Sequence, residues 1–296
     1  MLSYSETPLV ELKMEAFHAK QVRILIQRED LNHPFISGNK WWKLKYNIEE
    51  ALKQGKKTLL TFGGAYSNHI YATAAAAHEV GLKSIGVIRG EATLPLNPTL
   101  TFAHTQGMHL YYVSREVYRK KTAPEFIAQL HDQFGDFYLI PEGGTNELAL
   151  KGTQELGGKL LTEIEFDYLC LPVGTGGTMA GIINALQGKK EIIGFSSLKG
   201  DFLENEIRHL LDSSRQFNNW KMDHNYHFGG YAKISSDLKE FINNMEHRYD
   251  LMLDPIYTAK TVYGVIDLMK KDYFKQGSTV LILHTGGLQG RNGMEL

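Results

Sequence analysis

The chain has 296 residues, 43% apolar and 22% charged, so it can bury a sizeable core, which argues against a disordered or disulfide-stapled chain. Thirty-two Lys and Arg against thirty-three Asp and Glu leave a net charge of -1, so no overall field draws nucleic acid or an anionic membrane, and any anion must be caught locally. A single cysteine, Cys170, excludes an intramolecular disulfide, and with no basic-then-apolar leader and no apolar run of about 20 residues the expectation is a cytoplasmic protein.

Short β-branched runs alternate with helical stretches, the pattern of an α/β fold with strand-helix units on a parallel sheet. Strands are predicted at 58–62, 84–88, 109–113, 136–140, 167–173, 191–197 and 278–284. Before the first of these, Trp41, Leu44, Ile48, Ala51 and Leu52 recur at helical spacing and draw one apolar stripe that ends near Gly55. Ser37, Gly38, Asn39 and Lys40 lead into it. A cation at a helix start is disfavoured by the dipole, and at pH 7 only roughly a few lysines in ten thousand are neutral. A Schiff base to an aldehyde removes that difficulty; a surface lysine is the plainer alternative.

The junction Gly63-Gly64-Ala65-Tyr66-Ser67-Asn68-His69 opens a second helix, with Ile70, Ala74 and Ala77 on one side and a stop at Gly81. Its free N-H groups suit a carboxylate, or Ser67 simply caps the helix. Further on, the strand Leu169-Cys170-Leu171-Pro172-Val173 runs into Gly174, Thr175, Gly176, Gly177 and Thr178 and then a helix. Glycines there let backbone N-H groups converge on an oxyanion, and the threonines add hydroxyl donors, so the loop suits a phosphate. A dinucleotide fingerprint would need glycine at Met179, and a Walker loop would need Gly-Lys. A tight turn with no ligand is the alternative.

Residues 201–250 are the least regular. The segments 254–260 (DPIYTAK) and 284–287 (HTGG) have the character of loops at strand ends or helix starts, where open α/β sheets carry their sites. Tyr257 is a packed aromatic or an acid. His224 and His227 have no third ligand nearby, so no metal is expected, and Cys170 reads as a core residue.

Taken together, TPLV at 7–10, REDL at 28–31, SGNKWWKLKYN, GGAYSNHIYATAAAAHEVGLK, PEGGTN, PVGTGGTMAG, DPIYTAK and HTGGLQG resemble the 1-aminocyclopropane-1-carboxylate deaminase and D-cysteine desulfhydrase family. These are fold-type II pyridoxal-phosphate (PLP) enzymes. The resemblance implies a tryptophan synthase β-like fold: two three-layer αβα domains, mainly parallel sheets, and the cofactor in the cleft between them. The larger domain would be 1–47 plus 152–296, and 48–151 the smaller insertion. It further implies that Lys40 carries pyridoxal 5'-phosphate, that Gly174, Thr175, Gly176, Gly177 and Thr178 hold its phosphate, and that Asn68 contacts the 3-oxygen. Ser67 would serve the substrate carboxylate or a proton shuttle, Tyr231 and Tyr257 would lie near the substrate, and the enzyme would be a homodimer.

Departures bear on the substrate. Where cyclopropane deaminases have glutamate after the D-P-x-Y tyrosine, here Thr258 follows Tyr257, and a neutral partner leaves the pyridine nitrogen largely unprotonated. The expectation is therefore D-cysteine desulfhydrase-like α,β-elimination from a small amino acid. The alternatives are deamination of 1-aminocyclopropane-1-carboxylate to 2-oxobutanoate and ammonia, and a non-catalytic ligand-binding protein on the same fold. Trp41-Trp42 and the short tail after Gly290 also depart from the family and put the pocket's preference in question.

Overall fold

The structure, a computed structural model, describes residues 1–212 and 216–294. The first part of the chain forms β1 (Leu9–Glu11), β2 (Arg23–Gln27), α1 (Asn39–Lys53), β3 (Thr58–Gly63), α2 (Asn68–Glu79), β4 (Lys83–Arg89), α3 (Pro98–Thr105) and β5 (Met108–Val113). Then come α4 (Arg115–Arg119), α5 (Pro124–Phe134), β6 (Tyr138–Ile140), α6 (Glu147–Glu163), β7 (Tyr168–Val173), α7 (Gly177–Leu186) and β8 (Glu191–Ser196). The last elements are α8 (Leu203–Leu210), β9 (Trp220–Asp223), α9 (Ser236–Tyr249), α10 (Thr258–Lys270) and β10 (Thr279–Leu283).

Each run expected to be a strand is one, although β6 begins at Tyr138, not at 136. The strands β1, β2 and β9 lie outside those runs. In β2 only three apolar residues stand between Arg23 and Gln27, and β9 is defined by pairing with β8 more than by its own pattern. The irregular stretch 201–250 also holds α8 and α9; its residues 213–215 lie outside the described ones.

Two sheets result. One has the order β1-β2-β10-β7-β8-β9 and the other β5-β4-β3-β6, and all pairings are parallel except β1 with β2. Alternation along β7 sends Leu169 and Leu171 to a core shared with Leu44 of α1, Leu156 of α6 and Ile182 of α7. Cys170 points to the opposite core with Ile242 of α9 and Val265 of α10. The smaller sheet is likewise covered twice, by Phe126 and Leu130 of α5 on one face and by Ile70, Ala74, Leu100 and Ala103 of α2 and α3 on the other. Each sheet is thus the middle of an α-β-α sandwich. The smaller one is built wholly from residues 58–140, while α1 and α6 run unbroken through the expected domain edges at 47–48 and 151–152.

The segment ahead of α1 is pinned from below. Buried Glu29 accepts from Thr7 Oγ1 at 2.8 Å, Asn32 Nδ2 at 3.0 Å and Trp42 Nε1 at 2.7 Å, and its carbonyl accepts from Gly38 N at 3.0 Å. Gly38 then turns at φ 70°, and a Cβ there would lie 1.9 Å from the Thr285 carbonyl oxygen. Gly55 has nearly the same φ, 69°, but a Cβ would meet nothing within 4 Å. Gly55→Ala should therefore cost about 1 kcal/mol, for the left-handed backbone alone. Gly38→Ala should cost several times that, and paired denaturant melts measure the difference.

Candidate active site

The parallel strands of both sheets point their C-terminal ends at one cavity of about 340 Å3. Of the residues singled out by sequence, it is lined by Lys40, Ser67, Asn68, Gly174, Thr175, Gly176, Thr178, Tyr231 and Tyr257. Gly177 and Thr258 do not line it. Gly177 opens α7 beneath the loop. The Thr258 hydroxyl faces away: it donates to Asp254 Oδ1 at 3.1 Å and accepts from Asp254 N at 2.8 Å, and the residue is buried. In this arrangement the Thr258 hydroxyl is engaged by Asp254, whose carboxylate takes the first N-H groups of α10.

Lys40 is the second residue of α1, and its Nζ donates to Asn39 Oδ1 at 3.0 Å. The amide of Asn39 donates in turn to Thr178 Oγ1 at 2.8 Å, tying the lysine's helix to the glycine loop. Burial lowers the Lys40 pKa to about 8, with buried Asp254 opposing the shift. One turn along α1, Lys43 is 1% exposed and donates to Gly143 O at 2.8 Å and Thr145 Oγ1 at 2.9 Å, with Thr175 Oγ1 at 3.4 Å. No carboxylate neutralises it among the described residues. Burial first, and Lys40 second, push its pKa well down.

The loop itself turns at Gly176 with φ 78°, a left-handed N-cap that leaves the first-turn N-H groups of α7 facing outward. Tyr257 lies close against it, since a Cβ on Gly174 would sit 3.1 Å from the ring. Its ring centroid is 6.2 Å from that of Tyr231. Burial raises the pKa of both phenols, so each keeps its proton at neutral pH.

At the other wall Ser67 caps α2, its Oγ accepting from Ile70 N at 3.3 Å. Asn68 is braced from the C-terminal segment by Gln289 Nε2, 2.5 Å from its Oδ1. His69 is buried, with its Nε2 2.8 Å from Thr61 Oγ1. Burial and the two nearby lysines drive its pKa well below the ordinary value, so it stays neutral.

A family model described as pyridoxal-phosphate dependent enzyme matches residues 1–286. The chain belongs to that family. Among its relatives is the Arabidopsis thaliana bifunctional D-cysteine desulfhydrase/1-aminocyclopropane-1-carboxylate deaminase, 31% identical over 90% of this chain and 72% of that protein. The 1-aminocyclopropane-1-carboxylate deaminase of Bradyrhizobium sp. strain BTAi1 is 28% identical over 99% of this chain and 94% of its own length. A crystal structure described as an ACC deaminase homologue superposes with a TM-score of 0.83 at 28% identity, covering 98% of this chain and 92% of that one. The fold is that of fold-type II pyridoxal-phosphate enzymes.

The donor set fits this cofactor. Lys43 is a buried amine held only by neutral oxygens, whose protonated form a dianionic phosphate would pair, and it sits beside the free N-H groups of α7. Lys43 was missed in the sequence, where its spacing of three from Lys40 was the available signal. Also missed were Arg89 and Glu142, which line the cavity, and Lys260. Lys260 is buried on α10 and donates to the carbonyls of His227 at 2.8 Å and Gly230 at 2.9 Å, holding the loop that carries Tyr231. Burial lowers its pKa to about 8. The indoles of Trp41 and Trp42 do not shape the cavity, for they donate to Ser3 O and Glu29.

Two outcomes follow from these lysines. Between about 8 and their ordinary 10.5, the unfolded chain binds more protons at Lys40 and Lys260 than the folded one, so stability of the cofactor-free protein should rise with pH. Above the ordinary tyrosine value of 10.0 the buried phenols act the other way. Melting temperatures from pH 8 to 10 should climb, and climb less in Lys40→Met. Lys43→Met should leave the cofactor-free melting temperature equal or higher, since it removes a buried polar amine that has no carboxylate partner among the described residues. Added pyridoxal phosphate should then stabilise the variant less than the wild type, while pyridoxal, which lacks the phosphate, should shift both alike.

Proposed function

We propose that the chain is a pyridoxal-phosphate lyase of small amino acids, D-cysteine desulfhydrase-like, converting D-cysteine to pyruvate, sulfide and ammonia. The observation that carries this reading is the sharing of one cavity by the partly neutral amine of Lys40 and the buried amine of Lys43, which has no carboxylate partner among the described residues, beside the glycine loop. Bound there, the cofactor supplies an aldehyde for amino groups and a ring that stabilises negative charge at the substrate α-carbon.

The chain's own residues would divide the work. Lys43, Thr175, Thr178 and the N-H groups of 174–178 hold the phosphate, and Asn68 orients the ring through its 3-oxygen. Lys40 would hold the cofactor's aldehyde and, as a free amine, would take the substrate α-proton on Nζ. Its pKa of about 8 leaves a useful neutral fraction near physiological pH. Ser67 and the start of α2 bind the substrate carboxylate. Tyr231 and Tyr257, kept protonated by burial, donate hydrogen bonds or a proton to the departing β-group and are not bases.

Elimination is favoured over opening a cyclopropane because residue 258 is threonine and Glu142 is the only carboxylate among the described cavity-lining residues. Deamination of 1-aminocyclopropane-1-carboxylate is the second reading, favoured by the names of the relatives above. A cytoplasmic homodimer goes with the proposal: a single cysteine fits a reducing compartment, and the dimer rests on family analogy. The division into 1–47 plus 152–296 and an inserted 48–151 belongs to the same proposal.

The purified protein with cofactor should absorb in the violet, and Lys40→Ala should lose both this band and turnover. Keto-acid and ammonia release from D-cysteine should exceed that from the cyclopropane substrate by at least roughly tenfold in kcat/KM. Turnover of the cyclopropane alone would reverse the order of the two readings, and a protein that ignores the cofactor would end both.

A further inference from the structure

Three cationic side chains line the cavity, Lys40, Lys43 and Arg89, and the first two have work in the function proposed above. Arg89 closes β4. The register that sets Ile88 against Gly63 puts it beside Gly64 at the cavity's edge, where a Cβ on Gly64 would lie 3.4 Å from its Nη2. Its guanidinium carbon lies 5.6 Å from the ring centroid of Tyr118, so one face rests on an aromatic surface. That ring is itself fixed, being buried with its hydroxyl donating to Glu142 Oε1 at 2.7 Å.

Glu142 does not neutralise Arg89. Its other oxygen is 3.3 Å from Lys121 Nζ, and Arg89 makes no ion pair with any carboxylate among the described residues. The charges therefore do not balance. A cofactor phosphate has the glycine loop and Lys43, and a substrate α-carboxylate has the start of α2, which leaves one aligned guanidinium without an anion. The outer phenol beside it, Tyr231, is 38% exposed, so this end of the cavity is where a β-substituent has room to extend.

We propose that Arg89 is the receptor for a second, distal carboxylate on the substrate, so that the enzyme takes, beside D-cysteine, amino acids whose β-substituent ends in an acid and binds these more tightly than their neutral counterparts. Arginine suits this role because its planar fork meets a carboxylate with two parallel hydrogen bonds, and the Tyr118 ring holds the fork before the ligand arrives. The inference rests on the amino-acid chemistry proposed above.

The test compares binding of S-carboxymethyl-D-cysteine with that of its neutral isostere S-carbamoylmethyl-D-cysteine, read from the change in visible absorption of the cofactor-loaded protein. The wild type should bind the acid tighter by at least roughly fivefold, a modest factor because the guanidinium is partly open to water. Arg89→Gln should erase that preference while leaving the amide's dissociation constant within about twofold. Arg89→Lys, which keeps the charge without the fork, should retain part of it. Unchanged melting temperatures show that the variants fold. Equal weakening of both ligands in Arg89→Gln would mean that Arg89 serves the α-carboxylate and would overturn the proposal. So would a wild type with no preference, even if it turns over D-cysteine. Failure of both ligands to bind the wild type, with D-cysteine inert as well, would instead remove the amino-acid reading on which the proposal stands.

Discussion

A lysine buried without an anion is costly to protonate, and α1 carries two, Lys40 and Lys43, one turn apart and both with lowered pKa values. The chain bears this because everything around them is polar and rigid: carbonyl and hydroxyl oxygens for Lys43, an amide for Lys40, and Asp254 behind. The arrangement makes sense only as half of an interaction. In the function proposed above these amines meet a phosphate and an aldehyde, and their pKa values, lowered first by burial, are what such partners would offset.

The supports of that arrangement come from distant parts of the sequence. Glu29 gathers Thr7, Asn32 and Trp42 under the loop ahead of α1, and Thr285 presses its carbonyl against Gly38. Asp254 takes the N-H groups of Ile256, Tyr257 and Thr258, fixing the start of α10 and with it the Tyr257 ring. Lys260, farther along the same helix, clamps the loop bearing Tyr231. Lys40 and both phenols are thus held by groups whose hydrogen bonds are satisfied inside the protein, which is the condition for a site that does not drift.

Much of this was legible in the sequence, for identifiable reasons. Parallel strands buried on both faces read as continuous apolar runs, and glycine junctions followed by helices marked the loops at their ends. What could not be read was direction. Thr258 belongs to a recognisable motif, yet its hydroxyl turns to Asp254, the buried carboxylate that takes the N-H groups at the start of α10 and lies four residues before it. Trp41 and Trp42 flank the lysine in sequence but point elsewhere, as neighbours on a helix must. Arg89 stood out by no pattern at all; only the register of β4 against β3 and the distribution of charge around Glu142 reveal it.

The order of the larger sheet has a temporal corollary. β10, the last strand in sequence, lies in its interior, between β2 and β7. During synthesis Lys40 leaves the ribosome long before the carbonyl that seats Gly38 or the strand that joins the two halves of its sheet. Until β10 emerges, β2 and β7 each keep one unpaired edge, so the larger sheet and the turn at Gly38 close only after residues 279–285 are made. The burial that gives Lys40 its lowered pKa is therefore a late event in folding, set by a strand about 240 residues downstream of it.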